Sequence, residues 1–111
     1  MAIHQLEKTK WRLYCDGMSK AAIGMRAEVE VASLRIGAQL EAKWLPLLGI
    51  VYDVENDIIE IALADLDHIV YTPRVMYIDD NPLRLSSMEI IDGDGLEHII
   101  KFRDPLLLPL R

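Results

Sequence analysis

The sequence predicts an α+β fold, in which one N-terminal helix packs on a twisted antiparallel β-sheet of about six or seven strands. A partial barrel is the more curved form of the same sheet. Two observations predict this fold. Apolar residues first recur every three or four positions, the period of a helix, and then at every second position over most of the chain, the period of a strand. Short polar turns separate the apolar runs, which favours sequential hairpins.

The chain of 111 residues suits one domain, 1–111. Within it we expect a helix over 9–23, a β meander over 25–103 and a Pro/Leu-rich tail over 104–111. Cys15 is the single cysteine, so an intramolecular disulfide is excluded and packing alone must hold the fold. No run approaches the ~20 apolar residues of a membrane span, and no secretory signal pattern is visible. We therefore expect a cytoplasmic protein with no membrane contact.

The N-terminal helix is predicted by its apolar face, which consists of Trp11, Tyr14, Cys15, Met18 and Ala22. Thr9 is the expected N-cap, because its hydroxyl can accept an unpaired backbone N–H. Gly24 is the expected stop.

Alternation predicts the strands. Residues 25–31 and 34–44 alternate apolar and polar side chains, and Pro46 is expected to interrupt the second run because it has no N–H to give to a ladder. The apolar runs 47–54 and 58–64 flank a short polar turn and predict a hairpin. Segment 65–72 remains open between a strand and a helical turn. Further strands are predicted in 75–79, 84–91 and 96–102.

The stretch "DGDGLEH", residues 92–98, has two interpretations. A calcium loop needs oxygen ligands at its fifth and twelfth positions, but here these are Leu96 and Arg103. A three-residue hairpin loop, 93–95, instead places Met88 opposite Ile100 and Ile90 opposite His98, with Gly95 left-handed. We favour the hairpin and expect no metal site.

Other chemistry is weakly indicated. Asp65, Asp67 and His68 could bind a metal or move protons, but a loop histidine near solvated carboxylates is the favoured interpretation. Cys15 lies on the apolar helix face and is expected to be inert. No nucleophile elbow and no Gly-rich nucleotide loop is present, so no catalytic residue or cofactor is predicted. The protein is acidic, with a net charge of −6, which disfavours nucleic acid as a partner.

The tail contains four leucines beside two prolines, namely Leu106, Leu107, Leu108 and Leu110 with Pro105 and Pro109. Left exposed, they would form a sizeable apolar patch. The tail can fold back over its own sheet or pack on a second subunit, and the sequence leaves both alternatives open.

Several motifs resemble one known family. They are "WLPLLGIVYD" (44–53), "DIIEIALADLDHIV" (57–70), "SSMEIIDGDG" (86–95) and "FRDPLLLP" (102–109), preceded by "EKTKW" and "AEVEVASL". Together they resemble a family of short bacterial proteins classed as a domain of unknown function. The resemblance covers nearly the whole chain. It implies a small cytoplasmic bacterial protein and no particular reaction.

Two functions follow as hypotheses. The first is a non-enzymatic interaction or self-association module, a homo-oligomer with a dimer as the first expectation, whose contact residues are Leu106, Leu107, Leu108 and Leu110. The alternative is a small-molecule-binding protein or modest enzyme with a polar site near His68, Tyr71 and Arg74, in which the arginine grips a carboxylate or phosphate. The absence of any catalytic or nucleotide-binding motif from the sequence favours the first, and whether the protein is an enzyme remains open.

Overall fold

The structure, a computed structural model, describes residues 3–22, 24–81 and 84–103. It confirms the α+β class: one helix packs on an open antiparallel sheet of eight strands, which is not closed into a barrel. Helix α1 is Trp11–Ala21, preceded by a 3₁₀ turn at Lys8–Lys10. The strands are β1 Ile3–Leu6, β2 Arg26–Ser33, β3 Gly37–Asp53, β4 Ile58–Leu63, β5 Leu66–Tyr71, β6 Pro73–Asn81, β7 Arg84–Asp92 and β8 Glu97–Arg103.

The strand order is β1-β6-β7-β8-β2-β3-β4-β5, with every neighbouring pair antiparallel. The sheet is therefore two meanders, β2 to β5 and β6 to β8, joined where β8 pairs with β2. One continuous meander over 25–103 was expected. The chain instead crosses from β5, at one end of the sheet, to β6, next to the other end.

The helix begins later than the pattern suggested. Thr9 lies in the 3₁₀ turn and does not cap α1, whose first turn has no side-chain cap. The apolar face is confirmed, because Trp11, Cys15 and Met18 are buried. Ser19 on the same helix hydrogen-bonds both the N–H and the carbonyl of Ile50 at 2.7 Å. Ile50 lies opposite β4 on one side, and the Ser19 hydroxyl satisfies the backbone N–H and C=O of Ile50 on the other edge of β3.

Strand β3 continues through Pro46, where an interruption was expected. The irregularity falls just before the proline: Trp44 has a φ of +53°, and the β2–β3 register shifts between Ala27 and Glu30. The Arg26 guanidinium donates to the carbonyl of Trp44 at 2.9 Å, and the Arg103 guanidinium lies 4.3 Å from the Trp44 ring centroid. The bent strand can therefore pair with β2 along its first half and with β4 along its second.

The two predicted hairpins are present, and the structure settles segment 65–72. The hairpin at 54–57 is confirmed, and 65–72 is resolved as strand β5 with its flanking turns. Met88 pairs with Ile100 and Ile90 with His98, as predicted, and Gly95 has a φ of +83°. Strand β1 was not predicted, because its four residues show too little alternation for a pattern.

The core lies between α1 and the concave face of the sheet. Its largest fully buried side chains include Trp11, Ile50, Ile59, Met76 and Ile100. No helix within the described ranges is long and apolar enough to cross a membrane.

Candidate functional site

Asp92 occupies the turn between β7 and β8 and organises it. Its Oδ1 accepts the backbone N–H groups of Asp94 at 2.9 Å and Leu96 at 3.0 Å. A carboxylate that accepts hydrogen bonds two and four residues ahead is a common way to fix a tight turn. The side chain of Asp92 is nearly buried, with 5% of the residue exposed. Its other oxygen, Oδ2, points to a second buried polar group.

Three polar side chains, Asp92, His98 and His68, are linked in a row by hydrogen bonds. Oδ2 of Asp92 lies 2.8 Å from Nε2 of His98, and Nδ1 of His98 lies 2.8 Å from Nε2 of His68. Because a carboxylate only accepts, His98 carries a proton on Nε2, and in its neutral form it accepts on Nδ1. His68 must then donate from Nε2, which leaves its Nδ1 as the nitrogen with a free lone pair. We call these three residues the Asp–His–His chain.

The curvature of the sheet brings the three residues together. His98 shares the buried face of β8 with Ile100 and Phe102, while His68 shares the inner face of β5 with Val70. These two strands are four places apart in the sheet, so only a strongly curved sheet allows their side chains to meet. The imidazole rings are tilted by 54°, with centroids 5.1 Å apart.

The chain favours the neutral form of the outer histidine. Burial, and then the nearby His98, lowers the pKa of His68 to about 4. Burial alone would raise the pKa of Asp92, but hydrogen bonds from His98 and from two backbone N–H groups outweigh it, so the pKa of Asp92 is lowered. Near neutral pH the chain is therefore an ionised carboxylate followed by a neutral His68.

Such a chain can hold strands together and can present a lone pair to a ligand. It is a poor general base at neutral pH, because a base with a pKa near 4 has little driving force to take a proton. Among the residues that the structure describes, no group of three or more His, Cys, Asp or Glu side chains is placed to hold a metal ion. The geometry fits best a buried polar clamp between β5 and β8.

The predicted ligand residues are not all on one surface. His68 is half-buried on the inner face of β5, whereas Tyr71 is three positions further along the strand, exposed, and points to the other face. Arg74 is exposed at the start of β6, next to a register shift. Asp65 and Asp67 are exposed, as expected, but His68 belongs to a strand and not to a loop. Leu106, Leu107, Leu108 and Leu110 lie outside the described residues.

Sequence reasoning did not link Asp92 and His98 to His68. Both were considered as parts of one loop. The signal available was the alternation of side chains along a strand. His98 is two residues from buried Ile100, and Asp92 is two residues from buried Ile90, so both polar side chains face the core. A buried Asp and a buried His at the end of one hairpin require a third polar partner.

A second polar cluster fastens the N-terminal segment. Lys8 Nζ lies 3.2 Å from Asp57 Oδ1, which also accepts the Tyr52 hydroxyl at 2.8 Å. Burial, followed by this hydrogen bond and the charge of Asp57, raises the pKa of Tyr52 to about 12. The ring of Trp11 packs edge-on against Tyr52, with centroids 5.3 Å apart. This cluster has a structural role, because it ties the first turn to the β3–β4 hairpin.

The outer part of the β2–β3 hairpin is a different kind of candidate. Residues 34–41 are all exposed, and we call them the projecting hairpin. Leu34 is fully exposed, and Ile36 and Leu40 are each about half exposed. These three large apolar side chains on one hairpin form a candidate contact surface.

The comparisons place the chain in a class of proteins without an assigned activity. Residues 2–111 match the model of a family of unknown function, DUF5335, and the chain belongs to this family. It is 31% identical over 110 residues to an uncharacterized protein from Aquifex aeolicus (strain VF5), covering 98% of this chain and 99% of that relative. No solved structure matches the chain. The resemblance inferred from the sequence motifs is thus confirmed.

Proposed function

We propose that the protein is a non-enzymatic self-association module that forms a homo-oligomer, with a dimer as the smallest form, and that the projecting hairpin supplies its contact surface. The observation that carries this proposal is the unpaired edge of β3 within that hairpin. Strand β2 takes one edge of β3 over Gly37–Pro46, and β4 begins its pairing only at Leu47. Within the described chain, no strand pairs along the other edge of residues 37–41.

An open strand edge presents unpaired N–H and C=O groups to any partner strand, and proteins usually blunt such edges. The chain does so further along β3. Glu41 is the extra residue of a bulge, since Glu30 pairs with Leu40 and Val29 with Ala42. The bulge bends the strand, and Gly37 at the turn has a φ of +70°, so the regular edge is limited to residues 38–40. This remaining edge carries Ala38 and Leu40, which support an apolar contact.

Light scattering and sedimentation equilibrium from low micromolar to several hundred micromolar concentration test the proposal. The wild-type protein should have at least twice the mass of one chain. The variant Leu40→Ser should shift to the monomer without losing thermal stability, because Leu40 lies on the proposed contact edge and is about half exposed. Leu13→Ser is the matched control, since Leu13 is 71% exposed on α1, away from the hairpin. A wild-type protein that is monomeric throughout this range contradicts the proposal.

A second candidate is the binding of a small ligand near His68, with Tyr71 and Arg74 as the accompanying residues. The observation that favours it is His68 Nδ1, which receives no hydrogen bond from the described residues. A thermal-shift screen of small carboxylates and phosphates tests it, because a ligand at a hundredfold its dissociation constant stabilises the folded state by about 2.7 kcal/mol.

Location in the cytoplasm likewise remains a prediction, supported by the lone reduced Cys15.

A further inference from the structure

An open cavity of about 550 Å³ lies where helix α1 meets the outer end of the β3–β4 hairpin. Arg12 lines it from the helix, and the rest of its wall belongs to β3, β4 and the turn between them. Sites for small organic ligands have volumes of about 300 to 1,000 Å³. The cavity is therefore large enough for a small ligand, and it lies apart from the Asp–His–His chain and from the projecting hairpin.

The cavity includes a short open edge of β3, at Tyr52. The N–H and C=O of Ile50 face away from β4, because the Ser19 hydroxyl bonds both at 2.7 Å. Backbone groups alternate between the two edges along a strand, so those of Tyr52 face the same way as those of Ile50. Within the described chain, only β4 pairs with β3 at Tyr52. Since Ser19 occupies the edge at Ile50 and β3 ends at Asp53, the open edge is one residue long.

Charges of both signs line the cavity. The Arg12 guanidinium forms no ion pair with a carboxylate of the described residues. The carboxylate of Asp53 is occupied by its own turn, because Oδ1 accepts the N–H of Glu55 at 3.1 Å and Oδ2 accepts Nδ2 of Asn56 at 2.7 Å. Glu60 is half-buried on β4 and also lines the cavity. The cavity therefore offers a ligand one cation, Arg12, and one ordered carboxylate, Glu60.

The surface beside these charges is apolar. Val51 pairs with Glu60, and Ile58 is two residues from Glu60, so the three side chains share one face of the hairpin. Val51 is 49% exposed and Val54 is 58% exposed. A ligand with an apolar side chain would remove this surface from water.

We infer that this cavity binds a free α-amino acid with an apolar side chain. Its carboxylate accepts from the Tyr52 N–H and pairs with Arg12, and its ammonium group donates to the Tyr52 carbonyl and pairs with Glu60. These are the two backbone bonds that one residue of a neighbouring antiparallel strand would make. The side chain of the amino acid lies on Val51 and Val54. A longer peptide cannot continue along an edge that Ser19 already occupies.

Isothermal titration calorimetry on the full chain with three matched probes tests this site. L-leucine carries both charged groups, N-acetyl-L-leucine lacks the ammonium group, and L-leucinamide lacks the carboxylate. We expect L-leucine to bind most tightly and each of the other two to bind about tenfold more weakly, because each loses one charge-assisted contact. No binding of L-leucine up to about 10 mM overturns the inference.

Two variants assign the charged groups. Arg12→Gln should weaken L-leucine by about tenfold and leave L-leucinamide within about twofold, because the amide has no carboxylate for the guanidinium. Glu60→Gln should weaken L-leucine similarly and leave N-acetyl-L-leucine unchanged. Lys20→Gln is the control, since Lys20 is exposed on the same helix but does not line the cavity. Thermal unfolding of each variant checks that it is folded.

The other outcomes are equally decisive. If N-acetyl-L-leucine binds more tightly than L-leucine, the site takes the C-terminus of a peptide and the inference is wrong. If all three probes bind equally, or if Arg12→Gln and Glu60→Gln bind L-leucine as the wild type does, the charged groups do not form the site. The titrations do not require a dimer, so a monomeric protein would contradict the proposed self-association and leave this inference standing.

Discussion

Nε2 of His68 and Nδ1 of His98 lie 2.8 Å apart and join strand β5, the last in the sheet, to strand β8 near its centre. On the other side of the His98 ring, Nε2 lies 2.8 Å from Oδ2 of Asp92. The contact needs one donor and one acceptor, so it persists only while at least one of the two rings is neutral. Protonation of both rings would therefore break the contact that holds strand β5 to strand β8.

The free energy of unfolding should fall in acid. The unfolded chain takes up a proton at His68 near its ordinary pKa of 6.5, whereas the folded pKa is about 4. Between these values the unfolded state binds more protons, so stability decreases as pH decreases. The slope should stay below the ~1.4 kcal/mol per pH unit of a whole proton, because His68 is only half-buried and solvent screens it.

Urea denaturation at pH 7.5, 5.5 and 4.5 measures this slope. His68→Gln keeps a donor for His98 but does not titrate, so its profile should be flatter than that of the wild type. His4→Gln, on the exposed strand β1, is the control and should retain the wild-type profile. Equal slopes for the wild type and His68→Gln would show that His68 is not the titrating group.

Removal of the Asp92 carboxylate should be costly. Asp92→Ala leaves Nε2 of His98 and the N–H groups of Leu96 and Asp94 without their acceptor, and we expect a loss of about 3 kcal/mol. Asp92→Asn retains Oδ1 and can donate to His98 once both histidines exchange tautomers, so its loss should be about 1 kcal/mol. Chemical denaturation distinguishes them. Equal losses for the two variants would mean that the hydrogen bonds that asparagine can retain contribute nothing.

Gly93 and Thr72 should be energetically coupled. A Cβ added at Gly93 would lie 3.2 Å from Thr72 Cγ2 and 3.3 Å from Thr72 Cβ. Thr72 has a φ of +51°, which is unfavourable for a β-branched residue, so it has little freedom to move. Gly93→Ala should cost about 1 kcal/mol in the wild type and close to nothing in a Thr72→Gly background.

Gly17→Ala is the control for this pair, because a Cβ at Gly17 meets no atom within 4 Å. In the middle of α1 it should stabilise the protein by about 1 kcal/mol. A double-mutant cycle on thermal unfolding gives the coupling, and additive effects of Gly93→Ala and Thr72→Gly would count against the contact.

Cys15 should be unreactive in the folded protein. Burial, with a smaller effect of Asp16, raises the pKa of its thiol to about 12, so almost no thiolate exists near neutral pH. Reaction with an aromatic disulfide reagent at pH 8 should be slow in buffer and fast in denaturing urea. Rapid labelling of the native protein would contradict the buried position.

Much of the fold could be predicted because burial imposes a period. Met88 and Ile100 were correctly paired from alternation and a Gly-containing turn, and α1 from the spacing of Trp11, Cys15 and Met18. Local rules failed where tertiary contacts override them. Pro46 does not end β3, because the partner strand changes at that point from β2 to β4. The short strand β1 exists only because β6 pairs with it.

The polar clamp shows why sites are harder to predict than strands. His68 and His98 are 30 residues apart, and no spacing rule relates them. Their meeting depends on the curvature of the whole sheet. Parity alone could show that His98 faces the core, but the identity of its partner required the strand order. For the same reason Tyr71 was grouped with His68, although strand alternation directs the two side chains to opposite faces.

The bond from Ser19 to both backbone groups of Ile50 implies a hazard during folding. While α1 is docked, its hydroxyl substitutes for a missing neighbour along the second half of the longest strand. If the helix detaches, the second half of β3 also exposes unpaired N–H and C=O groups along one edge, and aggregation through intermolecular β-pairing becomes possible. The docked helix thus protects the strand that it covers from pairing with another chain.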